Sequence, residues 1–338
     1  MNERYSRQLL FPGIGREGQR QINKSHAFIL GVGALGSAIA ETLVRAGIGR
    51  LTIVDRDYVE WSNLHRQQLY GEREAEESIP KAIAAKSRLS QINSETDIDA
   101  LVMDAVAEDI DPYISQADVI LDGTDNFDIR FILNDFSQKY EIPWIFGACA
   151  GSYGMSYTIM PPETPCLSCI MPAIPAESMT CETSGVIAPA IQATAAHQTT
   201  EALKILTGNT QSLRKKLVLF DMWQNQQQAL DVQGIKKDGC PSCGSSADFP
   251  YLTSANEAKL EVLCGRETVQ IRPASKKSYD FTSLEQKLKE YGAVKKNSYL
   301  LSCTTEEYRL AVFKDGRVLV HGTKEIEKAK SVYERFFA

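Results

Sequence analysis

The feature that most constrains the fold is an apolar strand followed by a glycine-rich turn and a helix. Residues 27–30 are apolar, the turn Gly-Val-Gly-Ala-Leu-Gly occupies 31–36, and residues 35–46 carry an apolar helical face. A second apolar run at 51–54 completes a βαβ unit, which predicts a doubly wound α/β fold. Such a turn directs backbone N–H groups and a helix N-terminus at an anion. Taken alone, it indicates a nucleotide.

The segment after the second strand indicates what is done to that nucleotide. Asp55 ends the strand, and Asn63, Arg66 and Gln67 follow it closely. An acid at this position can bind ribose hydroxyls. Hydride transfer needs no cations beside a triphosphate, whereas adenylyl transfer does, because charge builds on the phosphoryl oxygens and the leaving pyrophosphate. Arg66 and Lys81 would supply this positive charge.

A second acid follows the strand predicted at 119–121. Asp125 would lie at the carboxyl edge of the sheet, where ligands bind in such folds, and could hold a metal ion. A carboxylate nucleophile is already ionised at neutral pH and needs no general base. That agrees with a sequence that has four histidines, none in a triad-like setting.

The eight cysteines include two C-x-x-C pairs, which are Cys166 with Cys169 and Cys240 with Cys243. A disulfide framework is not expected in a reducing compartment, so two C-x-x-C pairs, here called knuckles, favour a metal site. Together they predict a tetrahedral Cys₄ zinc site, closed to water and therefore structural. The alternative interpretation is buried or redox-active cysteines.

Composition limits the remaining possibilities. The chain has 338 residues, a net charge of −6 and 43% hydrophobic residues. These values argue against a general nucleic-acid or membrane-surface role, and the polar N-terminus lacks a signal-peptide core. We expect a cytoplasmic protein of about two domains.

The pattern of predicted elements changes near residue 255. Residues 1–250 are predicted to form the nucleotide-binding domain, and 255–338 a small α+β domain of unknown role, with a hairpin turn at Asp315-Gly316. Residues 151–190 are predicted to be irregular. Trp61 and Trp144 are predicted to be packing residues.

Together these motifs resemble the MoeB/ThiF family, bacterial relatives of the ubiquitin-activating enzymes. The resemblance covers residues 4–244 and departs at Ala34, where many members have glycine. It is carried by Arg4-Tyr-Ser-Arg7-Gln8, Gly31 to Gly36, Asp55 to Gln67, Pro80-Lys81, Thr124-Asp125-Asn126, both C-x-x-C pairs, Thr180-Cys181, Gly185-Val186 and Ala188-Pro189.

The resemblance implies ATP-dependent adenylation of the C-terminal glycine of a ubiquitin-like sulfur carrier, either ThiS-like or MoaD-like. By that similarity Asp55 holds the ribose, Asp125 binds Mg²⁺, and Arg7 reaches the ATP of the other subunit of a homodimer. The implied nucleotide contacts are Gly31, Gly33, Ala34, Gly36, Asp55, Asp57, Asn63, Leu64, Arg66, Gln67, Lys81, Asp125 and Asn126.

Cys181 has two interpretations. The family places a cysteine here, which could receive the carrier as a thioester or acyl persulfide. A reactive thiolate needs a nearby cation or a helix N-terminus, and the sequence provides neither next to Cys181. An inert loop cysteine is the alternative.

Two other classes of function compete with adenylation. A nicotinamide-dependent oxidoreductase would use the same glycine turn, but it leaves the Asn63-Arg66-Gln67 cluster and the cysteine pairs unexplained. A zinc-bearing interaction module without catalysis would tolerate the loss of Lys81 or Asp125.

Overall fold

The computed structural model describes residues 3–171, 185–253, 259–263, 267–273 and 279–337, and for 259–263 the backbone alone. The chain divides into two compact units, Met1–Ser254 and Ala255–Ala338. Within the described ranges, no helix combines the length and apolar character needed to cross a membrane.

The first unit is built on an eight-stranded sheet with the order β3-β2-β1-β4-β5-β6-β7-β8. Strands β1 to β5 run parallel, and the last three are antiparallel to their neighbours. The strands are β1 (His26–Leu30), β2 (Arg50–Asp55), β3 (Asp97–Val102), β4 (Val119–Asp122), β5 (Trp144–Ala150), β6 (Tyr153–Ile159), β7 (Lys216–Asp221) and β8 (Gln226–Asp231). The order reverses between β1 and β4, so a crevice opens there at the carboxyl ends of the strands.

Helices cover both faces of this sheet. They are α1 (Gly15–Ile22), α2 (Ala34–Ala46), α3 (Glu72–Glu76), α4 (Lys81–Ile92), α5 (Ala107–Ile114), α6 (Phe127–Tyr140), α7 (Leu167–Ile170) and α8 (Ala188–Leu206). One hydrophobic core lies under α2, α4 and α8, and the other under α5 and α6. Strands β1 and β4 are buried along their whole length, as parallel strands covered on both faces must be. The predicted doubly wound α/β sheet is confirmed.

The prediction for residues 151–190 was wrong in its first part, because β6 spans Tyr153–Ile159. This strand pairs along its length between β5 and β7, and six of its seven residues are buried. The strand signal was present in the sequence, because large side chains at 153, 155, 157 and 159 alternate with Gly154, Ser156 and Thr158. Gly154 is needed within it, since a Cβ there would lie 2.2 Å from the ring of Phe220.

The two tryptophans differ in their surroundings. Trp144 is fully buried, as predicted, whereas the side chain of Trp61 is 59% exposed. The packing prediction for Trp61 was therefore wrong. Trp61 is the first residue of a short 3₁₀ helix, Trp61–Asn63, in which Asn63 is the buried residue.

The second unit is a six-stranded antiparallel sheet with two helices. The strands are β9 (Lys259–Leu263), β10 (Thr268–Arg272), β11 (Ala293–Lys296), β12 (Leu300–Thr304), β13 (Arg309–Phe313) and β14 (Val318–His321), in the order β11-β12-β13-β14-β10-β9. Helices α9 (Phe281–Leu288) and α10 (Ile326–Phe337) share one core with this sheet. Gly316, at φ +92°, occupies the β13–β14 turn, which confirms the hairpin predicted there.

Candidate active site

The glycine turn and the turn after β4 meet backbone to backbone at the crevice. A Cβ on Gly31 would lie 2.6 Å from the Gly123 carbonyl oxygen, and one on Gly123 would lie 2.3 Å from the Gly31 oxygen. A Cβ on Gly36 would lie only 1.8 Å from that same oxygen. Helix α2 begins at Ala34, and a helical residue can be alanine without backbone strain. The first N–H groups of α2 lie at this crevice, and such groups at a helix start can bind a phosphate.

Asp55 holds the glycine turn in place. One carboxylate oxygen accepts a hydrogen bond from the Val32 amide at 2.7 Å, and the other accepts from the Asp57 amide at 2.7 Å. Burial raises the pKa of Asp55, and the positive charge of Lys81 opposes this shift. Tyr70, which the sequence did not single out, donates its hydroxyl to the Val32 carbonyl at 2.6 Å. A carboxylate has further lone pairs, so Asp55 can still accept from a ribose hydroxyl.

Lys81 reaches this site because two loops pair beside it. The Val59 amide donates a hydrogen bond to the Ile79 carbonyl, and the Lys81 amide donates one to the backbone carbonyl of Asp57. This pairing places the Lys81 Nζ 3.1 Å from an Asp57 carboxylate oxygen, with the lysine side chain only 5% exposed. The structure therefore brings Asp55, Asp57 and Lys81 together beneath the glycine turn. A buried ammonium with one partner retains two donors for a phosphate.

The polar segment after β2 folds into one compact turn. The Asn63 side-chain oxygen accepts from the Glu60 amide at 3.0 Å, and its carbonyl accepts from the Gln67 amide at 3.0 Å. Leu64 packs against the hydrophobic core. The Arg66 guanidinium donates to the Ser62 carbonyl at 2.8 Å and stays partly exposed.

Gln67 carries an incomplete set of hydrogen bonds at the edge of the crevice. Its side chain is buried, and its Nε2 is the nearest atom to a Cβ built on Gly33, at 3.8 Å. Its Oε1 has no hydrogen-bond partner among the residues that the structure describes. A buried polar atom without a partner is destabilising, and a bound polar ligand would satisfy it.

Asp125 lies in the turn between β4 and α6, with its side chain exposed. Asn126 begins the helix, and its side-chain oxygen accepts from the Asp128 amide at 2.8 Å. This cap explains why an asparagine follows Asp125, independently of any nucleotide contact. The turn is the one that meets the glycine turn through Gly123.

A buried ion pair that was not predicted from the sequence supports this turn. The Arg130 guanidinium lies 2.8 Å from the Asp122 carboxylate, with side chains 4% and 0% exposed. The available signal was an arginine at helical spacing from Leu133 and Phe136, on the apolar face of α6. A charge at such a position needs a buried partner.

The four predicted cysteines converge. The sulfur atoms of Cys166, Cys169, Cys240 and Cys243 all lie within 4.8 Å of one another. The Cys166–Cys240 and Cys169–Cys243 pairs are each 3.6 Å apart. A disulfide would need about 2.05 Å, whereas a tetrahedral zinc–sulfur site implies about 3.8 Å between sulfurs. The geometry therefore fits a metal ion and excludes disulfides between these pairs.

Each knuckle is a tight turn that backbone hydrogen bonds hold in shape. In the first, the Cys169 amide donates to the Cys166 carbonyl at 3.1 Å. In the second, the Gly244 amide donates to the Cys240 carbonyl at 2.8 Å. A Cβ on Gly244 would lie 2.3 Å from the Asp238 carbonyl oxygen. Burial raises the pKa of Cys243 to about 11, so metal binding must displace a proton there.

One predicted residue, Arg7, lies apart from this cluster, and another lies outside the described residues. Arg7 is exposed and adjacent to Gln8, whose side chain donates to the Ala46 carbonyl at 2.9 Å, at the C-terminal end of α2. The glycine turn lies at the opposite end of that helix, so Arg7 does not join the crevice of its own chain. Cys181 lies outside the described residues, as does Cys264.

The sequence matches the ThiF family over residues 5–242. The sulfur carrier protein ThiS adenylyltransferase of Bacillus subtilis (strain 168) is 48% identical over 337 residues and covers 99% of both chains. The protein of the same name from Escherichia coli (strain K12) is 34% identical over 73% of this chain and 97% of its own.

Solved structures add support for the fold. A crystal structure of E. coli MccB with ATP aligns with a TM-score of 0.61 at 21% identity, over 72% of this chain and 75% of that chain. At this identity the likeness concerns the fold alone. The family match, by contrast, includes the glycine turn, the turn that carries Asp125 and most of the cysteine cluster. The chain therefore belongs to the ThiF family.

Proposed function

We propose that this protein uses ATP to adenylate the C-terminal glycine of a ubiquitin-like sulfur carrier. The observation that carries the proposal is the meeting of the glycine turn with the Asp125 turn, beside the buried Lys81 and the unsatisfied Gln67. Family membership and the full-length ThiS adenylyltransferase relative from Bacillus subtilis support the same reaction. That relative favours a ThiS-like carrier and thiamine synthesis over a MoaD-like carrier and molybdopterin synthesis.

The reaction needs positioning and charge but no proton transfer. A carboxylate oxygen of the carrier attacks the α-phosphorus of ATP, the bond from that phosphorus to the bridging oxygen breaks, and pyrophosphate leaves with the electron pair. Lys81 and Arg66 would balance the charge that develops on these oxygens. Asp55 would accept the ribose hydroxyls, and Asn63 and Gln67 would bind the phosphates. The backbone of Gly31, Gly33, Ala34 and Gly36 would complete the nucleotide site.

A magnesium ion would accompany the ATP, with Asp125 as its protein ligand. The Asp125 side chain is exposed in a turn at the carboxyl edge of the sheet, which leaves room for phosphate oxygens and water around the ion. Bound there, the ion would neutralise charge on the triphosphate. Asp57 is a less suitable ligand, because it already pairs with Lys81.

The four cysteines would hold a structural zinc ion. The site uses four thiolates and leaves no position for water, so we assign it no part in the chemistry. Purified protein should contain about one zinc per chain, measured by atomic absorption. Chains with Cys240→Ser should lose this metal and unfold at lower temperature, because metal binding contributes to folding.

We propose that the active enzyme is a homodimer in which Arg7 completes the partner's site. Gln8 is bound at Ala46, about 18 Å along α2 from the helix start at Ala34. An arginine side chain cannot cover that distance to its own glycine turn. The exposed position of Arg7 instead suits a contact between subunits.

The adenylation machinery would lie within residues 1–250. The E. coli ThiS adenylyltransferase is covered almost completely by the matching 73% of this chain, which leaves out a length comparable to residues 255–338. Those residues remain without an assigned role. We also propose a cytoplasmic location, where cysteine pairs stay reduced for metal binding. Covalent capture of the carrier by Cys181 remains a prediction.

Carrier-dependent exchange of labelled pyrophosphate into ATP tests this function. We expect exchange with a ThiS-like carrier ending in two glycines, and none with a carrier that lacks the last glycine, because the attacking carboxylate is then displaced. A nicotinamide oxidoreductase would instead bind NAD tightly and give no exchange with either carrier. That second outcome would overturn the proposal.

A further inference from the structure

Helix α6 presents three charged or amide side chains to the protein interior, besides the buried Ser137, and the proposed chemistry uses none of them. Arg130, Asn134 and Asp135 are at most 3% exposed. Buried charged and amide groups are stable only with partners, so the contacts of each one indicate what it supports.

Arg130 donates to three acceptors at the crevice, two at the end of β4 and one on β5. Its Nε donates to the Asp122 carboxylate at 2.8 Å, and its Nη2 donates to the carbonyls of Thr124 at 2.8 Å and Gly147 at 3.1 Å. The guanidinium also lies over the ring of Phe127, 4.8 Å from its centroid. The Thr124 carbonyl belongs to the peptide bond that leads into Asp125, so Arg130 fixes the backbone immediately before that residue.

The same turn is held by further contacts. The second Asp122 carboxylate oxygen accepts from the Thr124 amide at 2.9 Å and from the Thr124 hydroxyl at 2.7 Å. From helix α8, the Gln198 side chain donates to the Asp122 carbonyl at 2.9 Å and the Ile145 carbonyl at 3.0 Å. Helices on both faces of the sheet therefore clamp the end of β4.

The rest of the buried face of α6 is tied to the cysteine knuckles. The Asn134 oxygen accepts from the Leu167 amide at 2.7 Å, within the first knuckle. The Asp135 carboxylate accepts from the Tyr251 amide at 2.9 Å, beyond the second. These contacts hold α6, the helix that carries Arg130, against the segments next to the two cysteine pairs.

We propose that Arg130 is a positioning residue, which holds the Thr124–Asp125 peptide so that the Asp125 carboxylate faces the triphosphate. This inference rests on the proposed function for the role of Asp125. A lysine at this position would keep the charge but could not reach all three acceptors, because its ammonium is a point donor and not a planar fork.

The test compares full-length wild type with Arg130→Lys and Thr124→Val. Arg214→Lys is the control, because Arg214 is a half-buried arginine that donates to the Ser156 carbonyl at 3.2 Å, away from the turn. Two quantities are measured: the kinetics of pyrophosphate exchange with a ThiS-like carrier, and hydrogen exchange of the backbone amides at 119–127.

For Arg130→Lys we expect kcat to fall about 10- to 100-fold, because a misplaced group loses orientation, while KM for ATP changes less than about threefold. Amides at 123–126 should exchange faster, and the control should match wild type in both measurements. A kcat within about twofold of wild type, or unchanged amide exchange, would overturn the proposal.

Thr124→Val decides the question if Arg130→Lys fails to fold. It removes the hydroxyl contact to Asp122 outside the core, and it should give a smaller loss of kcat with faster local exchange. No change in either quantity would contradict the positioning role. Hydrogen exchange of the amides needs no enzymatic turnover, so it tests the role of Arg130 independently. Absence of pyrophosphate exchange in the wild type would refute the proposed function separately.

Discussion

At the scale of single residues, two acidic side chains at the crevice have different surroundings. Asp55 is buried and accepts two backbone N–H groups, so it maintains the shape of the glycine turn. Asp125 is exposed and lies on a turn that other residues hold in place. We therefore expect substitutions of the first to affect folding and substitutions of the second to affect chemistry.

Asp125→Ala should reduce carrier-dependent pyrophosphate exchange by at least about 100-fold, because the ligand for the proposed metal is lost. Asp128→Ala is the control, since Asp128 is exposed in the first turn of the same helix. Both variants should retain wild-type zinc content and unfolding temperature. Comparable rates of pyrophosphate exchange for the two variants would show that Asp125 has no role in the reaction.

Asp55→Asn should destabilise the fold in a pH-dependent way. Burial raises the pKa of Asp55 above 3.8 in the folded state, so the folded protein binds this proton more tightly than the unfolded chain does. The stability contributed by the carboxyl group is full below its unfolded pKa and declines as pH rises through the raised value.

The Asn variant keeps one of the two acceptor oxygens and should lose about 1–3 kcal/mol in acid. Urea unfolding would show the difference from wild type shrinking towards neutral pH. A difference that instead grew with pH would mean that Asp55 is stabilised as a carboxylate.

At the scale of elements, glycines allow helix α2, the turn after β1 and the turn after β4 to approach one another closely. Gly36→Ala should destabilise the first unit by about 3 kcal/mol and abolish ATP binding, because the new Cβ would overlap the Gly31 carbonyl. Gly33→Ala is the matched control, since its Cβ would meet its nearest atom at 3.8 Å. Its unfolding free energy should stay within about 0.5 kcal/mol of wild type. Equal destabilisation of both variants would contradict the observed turn.

Most elements with a local cause were predicted, with β6 as an exception, and elements whose cause is not local were missed. The βαβ unit, the cysteine knuckles and the hairpin at Gly316 follow from periodicity, glycine and spacing. Strands β8 and β11 were missed, because β8 is exposed along its length and β11 has one partly buried residue among exposed ones, so neither shows an alternating apolar face. Arg130 was missed although its position on the apolar face of α6 indicated a buried partner, whereas the partner of Tyr70, Val32, is 38 residues away and becomes a neighbour only in the fold.

At the scale of the whole molecule, the central question is whether one chain suffices. Arg7→Ala and Asp125→Ala should each be inactive alone, yet a mixture with proven subunit exchange should regain about one quarter of wild-type activity. Half of randomly mixed dimers are heterodimers, and each has one intact site. Failure to recover would place Arg7 outside the partner's site.

The most direct measurement is the intact mass of the carrier after incubation with ATP and this protein. We predict that a ThiS-like carrier ending in two glycines gains the mass of one AMP group, with release of pyrophosphate, and that Asp125→Ala yields no such product. An unmodified carrier after incubation with folded wild-type protein, ATP and Mg²⁺ would contradict the account.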